Sequence, residues 1–213
     1  MKHAVILAHP KPGSLCAGIA AAYVKAVRAL GHEAEVRDLY AMGFDPRLRA
    51  GEIPTEAGYA LEPDAEAERA RVGGADVFVF VYPFWFNAPP AILKGYVDRV
   101  LSMGFGYEFD FGGTTGLLLG RQLLSFSTSG APDSWVRETG ALRTLVAQFD
   151  RHLAGVTGLT VADHIHFGGI TSALTKAEAK DVFKRVKTAA NKLFPRSPGP
   201  RSPGDGPVKA VGV

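Results

Sequence analysis

Residues Val77–Val81 read Val-Phe-Val-Phe-Val, with no polar side chain among them. A short run of β-branched and aromatic residues of this kind has the length and composition of a strand buried on both faces, as in a parallel sheet. It ends on an aromatic and proline cluster that opens the segment Tyr82–Val100, YPFWFNAPPAILKGYVDRV. A helix is predicted from near Pro89–Pro90, because proline in a first helical turn forfeits no hydrogen bond. Residues at the carboxyl end of such a strand line the crevice where open α/β sheets bind ligands. Trp85 and Phe86 are held there on a short, proline-stiffened turn, which suits a flat ring system better than a sugar or a free phosphate.

The remaining chain repeats the same alternation. Strands are predicted at Ala4–Ala8, Glu33–Arg37, Asp76–Val81, Gln122–Ser127 and Leu159–Phe167, with helices between them. Ser14 can cap a first helix running to about Leu30, closed by Gly31. A polar helix covers Asp64–Gly74, a third runs from Pro90 to Ser102, and a fourth spans Ser134–Leu153 with Ser134 as its cap. A last helix, Lys176–Leu193, follows the cap Thr175. Five strands alternating with helices predict an α/β three-layer sandwich around a parallel sheet of order 2-1-3-4-5, the flavodoxin-like arrangement. Residues 1–194 form one domain in this reading. The Pro/Gly-rich segment Pro195–Val213, with its repeated RSPG, cannot bury a core and is expected to be disordered.

Composition narrows the function classes. The chain has 213 residues and a single cysteine, Cys16, which excludes an internal disulfide and a Cys-rich metal site and points to a reducing, cytoplasmic setting. Its apolar runs are far shorter than the roughly 20 residues of a membrane helix, and no apolar stretch precedes the first strand, so neither membrane insertion nor a signal peptide is expected. The net charge of +3 is mixed through the chain, without a basic stripe interleaved with aromatics, so nucleic acid is not an expected partner.

Four segments could carry chemistry. The loop His9–Gly18, HPKPGSLCAG, joins a strand to a helix N-terminus, where free backbone N–H groups favour a phosphate; a plain capped turn is its alternative. It contains neither G-x-G-x-x-G nor G-K-[ST], and Ala22 stands where a cysteine phosphatase needs arginine, so Cys16 reads as a loop contact. The aromatic turn is the second segment. In the third, SFSTSGAPDSW (Ser125–Trp135), backbone N–H groups and the hydroxyls of Ser127, Thr128 and Ser129 could meet the polar edge of a heterocycle. It lacks the G-x-S-x-G spacing of a hydrolase elbow. The fourth, GFGYEFDFGG (Gly104–Gly113), alternates Phe105, Tyr107, Phe109 and Phe111 and reads as a short strand or lid that covers a flat ligand or packs on a second subunit. His164 and His166 share one face of the last strand, and without a further ligand at metal spacing they read as structural.

Taken together, LAHPKPGS, DLYAMGFDP (Asp38–Pro46), YPFWFNAPPAILKGYVDRV, GFGYEF and STSG resemble the NAD(P)H:quinone oxidoreductases of flavodoxin-like fold, the DT-diaphorase type, in order and spacing over Met1–Ser134. The resemblance implies a homodimer with a flavin, FAD or FMN, at the subunit interface. His9, Ser14, Leu15 and Cys16 would contact the phosphate side. Pro83, Phe84, Trp85, Phe86 and Asn87 would run along the isoalloxazine, and Ser127, Thr128, Ser129 and Gly130 would meet its pyrimidine edge. Tyr107, Phe109 and Trp135 would border the substrate. NADPH or NADH would be the electron donor, and quinones or similar electrophilic aromatics the acceptors. Trp135 stands where well-studied members carry a tyrosine, and no histidine follows it before His152, so the expected proton-handling pair is absent. An alternative implied by the same likeness is a flavin-binding regulatory subunit of a potassium-efflux transporter.

Overall fold

The computed structural model describes residues 1–54, 58–110 and 112–196. Phe111 and the tail from residue 197 onward therefore lie outside the described residues. Among the described residues seven strands and seven α-helices follow one another: β1 (Lys2–Leu7), α1 (Leu15–Ala29), β2 (Glu33–Asp38), α2 (Pro63–Val72), β3 (Val77–Pro83), α3 (Ala91–Val100), β4 (Tyr107–Asp110), β5 (Gly113–Gly116), β6 (Gln122–Thr128), α4 (Asp133–Glu138), α5 (Ala141–Leu145), α6 (His152–Thr157), β7 (Thr160–Phe167) and α7 (Lys176–Leu193). The main sheet is parallel with order β2-β1-β3-β6-β7, the expected 2-1-3-4-5 once the small antiparallel hairpin β4–β5 is set aside.

The alternation inside β3 explains the layering. Val77, Val79 and Val81 face α1 and α7, together with Val5, Leu7 and Phe126. Phe78, Phe80 and Tyr82 face α3 and the α4–α6 region. Each fully buried side chain of this size contributes roughly 1.5–3 kcal/mol, so a strand apolar on both faces is stable only at the centre of the sandwich. The caps at Ser14 and Thr175 form as expected, the second as a reciprocal capping box with Glu178.

The segment around Pro46 is pinned to α3: its backbone lies so close that a Cβ on Gly95 would meet the Pro46 carbonyl at 2.2 Å. Arg99 then anchors Glu52 (2.9 Å), Asp64 (2.6 Å) and the Asp45 carbonyl (2.6 Å). The expected single helix Ser134–Leu153 is broken. It begins at Asp133 behind Pro132, with no side-chain cap from Ser134, and Gly140 turns left-handed (φ +74) to separate α4 from α5. Residues Val146–Arg151 then widen into a π-helical turn before α6. Among the described residues no helix is long and apolar enough to cross a membrane.

Candidate functional site

Three loops leave the carboxyl ends of β1, β3 and β6 side by side. In the first, Ser14 is extended (φ −61, ψ 163) and its hydroxyl accepts from the Ala17 amide at 3.2 Å. The first turn of α1 carries no acidic side chain, so nothing on the helix itself offsets the positive end of its dipole. His9, half-buried, accepts the Lys11 amide on Nδ1 at 3.0 Å, which leaves the proton on Nε2. Burial pushes its pKa down, so the ring is neutral near pH 7.

The second loop is a tight turn closed by Trp85 and Ala88, whose amides each donate to the other's carbonyl (3.1 and 3.0 Å). Between them Phe86 and Asn87 both have positive φ, 47° and 59°, the pattern of a type I′ turn. A bulky residue at positive φ is an outlier. Phe86 is nonetheless placed there with its ring fully exposed, beside Trp85 at 46% exposure. Backbone strain of this kind clusters at ligand sites.

The third loop follows β6. Its hydroxyls are already committed: Ser127 lies between His164 and His166, Thr128 meets the Cys16 thiol at 3.4 Å, and Ser129 donates to the Ala131 carbonyl at 2.8 Å. What this loop offers outward is backbone, with Gly130 exposed at its tip. The sequence reading gave those hydroxyls a ligand role; locally they are turned inward, into the fold.

The loops are tied together. His9 and Trp85 rings lie 6.0 Å apart, Cys16 bridges to Thr128, and the Phe84 amide donates to the Thr128 carbonyl at 2.6 Å. Cys16 is fully buried and burial raises its thiol pKa to about 11, so it is a packed bridge with no thiolate character. Pro83 and Phe84 are buried beneath the turn, Leu15 is half-buried and Asn87 is exposed. Tyr107 and Phe109 are elsewhere within the chain. Their hairpin packs on Thr157 and Gly158, ahead of β7, on the side of the sheet where strands begin. Tyr107 lines a separate cavity of about 410 Å³ with Tyr59, Val97, Met103, Phe149 and His152. Trp135 is exposed at the start of α4, past the third loop. A larger cleft of about 890 Å³ lies at the opposite end of the sheet, where Arg71 and Arg37 are already paired with Glu35 and Glu68.

The donor set fits a flavin nucleotide. A helix N-terminus free of acidic residues suits a phosphate, exposed Trp85 and Phe86 offer a flat apolar wall, and the loop after β6 carries its exposed backbone at Gly130. Sequence reasoning missed the buried partners behind the third loop. Asp150 carried no local signal, and the two histidines showed only that they share a face.

Comparison with known proteins bears on the family. The family model described as flavodoxin-like fold matches residues 1–190. An uncharacterised NAD(P)H oxidoreductase of Haemophilus influenzae is 34% identical, covering 80% of this chain and 85% of that one. The NAD(P)H dehydrogenase (quinone) 1 of Rattus norvegicus is 32% identical over 60% of this chain, which spans 53% of the rat protein. Among solved structures, an NAD(P)H:quinone oxidoreductase from Methanothermobacter marburgensis superposes with a TM-score of 0.78 at 28% identity, covering 91% of this chain and 96% of that one.

Proposed function

The chain belongs to the flavodoxin-like fold family, in company with NAD(P)H oxidoreductases, and from that premise we propose that it is an NAD(P)H-dependent flavin oxidoreductase that reduces quinones or similar electrophilic aromatics. The observation that carries this reading is the strained turn at Phe86–Asn87, which spends conformational energy to expose two aromatic rings beside a helix N-terminus without acidic residues. When bound, the flavin, FAD or FMN, supplies the two-electron carrier between nicotinamide and acceptor.

The protein's part is orientation. The amides of Leu15 and Cys16, with Ser14 at the cap, hold the phosphate. Trp85 and Phe86 fix the ring plane, Pro83 and Phe84 support them from below, and the backbone around Gly130 meets the ring's polar edge. Neutral His9, its Nε2 proton free to donate, sits at the mouth between phosphate and ring sides.

We place the functional unit as a homodimer. Exposed Leu48 and Ile53 border the α3 cavity, Phe109 is exposed on the aromatic hairpin, and that hairpin lies away from its own chain's crevice. A second copy can bring Tyr107 and Phe109 over the crevice, beside Trp135, to border the substrate. The expected result is a yellow protein, sizing at twice the 22.6 kDa of one chain, that oxidises NADPH or NADH when menadione is added. A protein that holds flavin but shows no turnover overturns the enzyme reading, and one that takes up no flavin overturns the site.

A further inference from the structure

Behind the third loop runs a line of buried polar side chains that holding a flavin does not require. Asp150 accepts from the Ser125 hydroxyl at 2.9 Å with one carboxylate oxygen and meets His164 Nδ1 with the other. His164 Nε2 lies 2.7 Å from Ser127 Oγ, and Ser127 Oγ lies 2.8 Å from His166 Nδ1. His166 Nε2 reaches Ser129 Oγ at 2.9 Å, and Ser129 donates to the Ala131 carbonyl. Asp150, Ser127, His166 and Ser129 are all buried, as is the His164 side chain.

Two irregularities aim these groups. Between Leu123 and Leu124 the register with β7 slips by a residue at Ala162. Val161 faces the α3–α6 side; strict alternation would therefore put Asp163 and Ile165 there as well. The bulge instead delivers His164 and His166, opposite Ser125 and Ser127. Asp150 comes from the π-helical turn, a rare deformation that concentrates at functional sites.

Donor counting sets the direction of the line. A carbonyl only accepts, so the Ser129 hydroxyl proton is spent on Ala131, and Ser129 Oγ must accept from His166 Nε2–H. Burial lowers the His166 pKa to about 4, so the ring is neutral and its Nδ1 accepts from the Ser127 hydroxyl. Ser127 Oγ in turn accepts from His164 Nε2–H. One further proton is then shared between His164 Nδ1 and Asp150.

We propose that Asp150, His164, Ser127, His166 and Ser129 form a proton wire that stores one proton at the Asp150–His164 pair and delivers it to the crevice at Ser129 Oγ. The proposal rests on the oxidoreductase reading. Reducing a quinone to a hydroquinone takes two electrons and two protons, and the hydride brings both electrons but one proton. The wire supplies the other. Ser129 swings its O–H from Ala131 to an acceptor in the crevice, and His166 Nε2–H moves to Ser129 Oγ. The Ser127 proton moves to His166 Nδ1, and the His164 Nε2 proton to Ser127 Oγ. His164 keeps its Nδ1 proton toward the Asp150 carboxylate, so the pair has lost one proton and the acceptor has gained it. The same path run backward restores the proton when the crevice opens to water. Asp133 and Arg137 of α4 face His166 with opposite charges, and the rings of Tyr82 and Phe84 pack edge-on against His164 and His166, shielding the wire from bulk water.

The test uses wild type, Ser127→Ala, Ser127→Thr and Ser129→Ala. In flavin-free protein, ring-nitrogen NMR is expected to show His166 neutral with its proton on Nε2 and His164 protonated on Nε2. A His166 ring carrying its proton on Nδ1 overturns the wire, whether or not flavin binds. In flavin-loaded protein, the quinone step is expected to show a solvent deuterium effect and to slow by about 100- to 10,000-fold in Ser127→Ala and Ser129→Ala, the scale of a lost proton donor. Ser127→Thr, which keeps the hydroxyl, restores both. Should Ser127→Ala fail to fold, Ser129→Ala breaks the last link alone, and an unchanged rate and isotope effect there overturns the proposal. Flavin content, read separately by absorbance, reports on the oxidoreductase reading.

Discussion

Replacing Phe86 by glycine should strengthen the free protein and weaken its hold on flavin. At φ +47, a residue with a Cβ pays roughly 1–2 kcal/mol for the left-handed region, whereas glycine enters it freely. Glycine costs about 0.5–1 kcal/mol in extra chain entropy on folding, so the net gain is about 0–1.5 kcal/mol, centred near 0.75 kcal/mol. The Phe86 ring is wholly exposed in the single chain, and its removal forfeits no burial there. Against a bound isoalloxazine the ring contributes roughly 1–3 kcal/mol, so affinity should fall by about 5- to 150-fold. Urea denaturation of the flavin-free protein and fluorescence titration with flavin measure the two quantities independently. Opposite signs are the signature of a turn that holds strain in order to present a ring. A stability loss in the flavin-free protein would show that Phe86 packs within the fold, and unchanged affinity would remove it from the flavin wall.

Other perturbations follow from the same geometry. Arg99→Met leaves the Glu52 carboxylate, 1% exposed, without its cation, and should cost about 3–5 kcal/mol in denaturant unfolding; Glu52→Gln in the same chain should recover part of it. Burial lowers the pKa of both His3 and His166 to about 4, below the ordinary value near 6.5. The unfolded chain thus binds more protons between these limits, and stability should fall as pH drops from about 6.5 to about 4. The loss is roughly 1–2 kcal/mol for each ring after allowance for solvent screening. His166→Gln should flatten its share of that slope in denaturation curves at pH 7 and pH 5, and an unaltered slope would contradict the assignment.

Much of the fold was legible because its causes are local. The run Val77–Val81 demanded a strand covered on both sides, Ser14 and Thr175 marked helix starts, and Gly31 marked an end. Strand ends and the loops after them then followed, and with them the three walls of the crevice. The break in the predicted fourth helix was less visible, since Gly140 is a weak signal inside an otherwise periodic segment.

Other features depend on residues far apart in the chain. Phe86 at positive φ contradicts its own local preference, and the two hydrogen bonds between Trp85 and Ala88 close the turn around it. Cys16 became a buried bridge because β1 and β6 carry it to Thr128, 112 residues away. The hydroxyls of Ser127 and Ser129, which by composition could have met a ligand, turn inward because a bulge in β7 and a π-helical turn deliver His164, His166 and Asp150 behind them. The sequence by itself determined the strands, the layers and the place of the crevice, since hydrophobic periodicity and capping act over a few residues. Tertiary structure alone decided which polar groups face the crevice and which join the line behind it, because a buried donor takes whichever acceptor the packing brings within 3 Å.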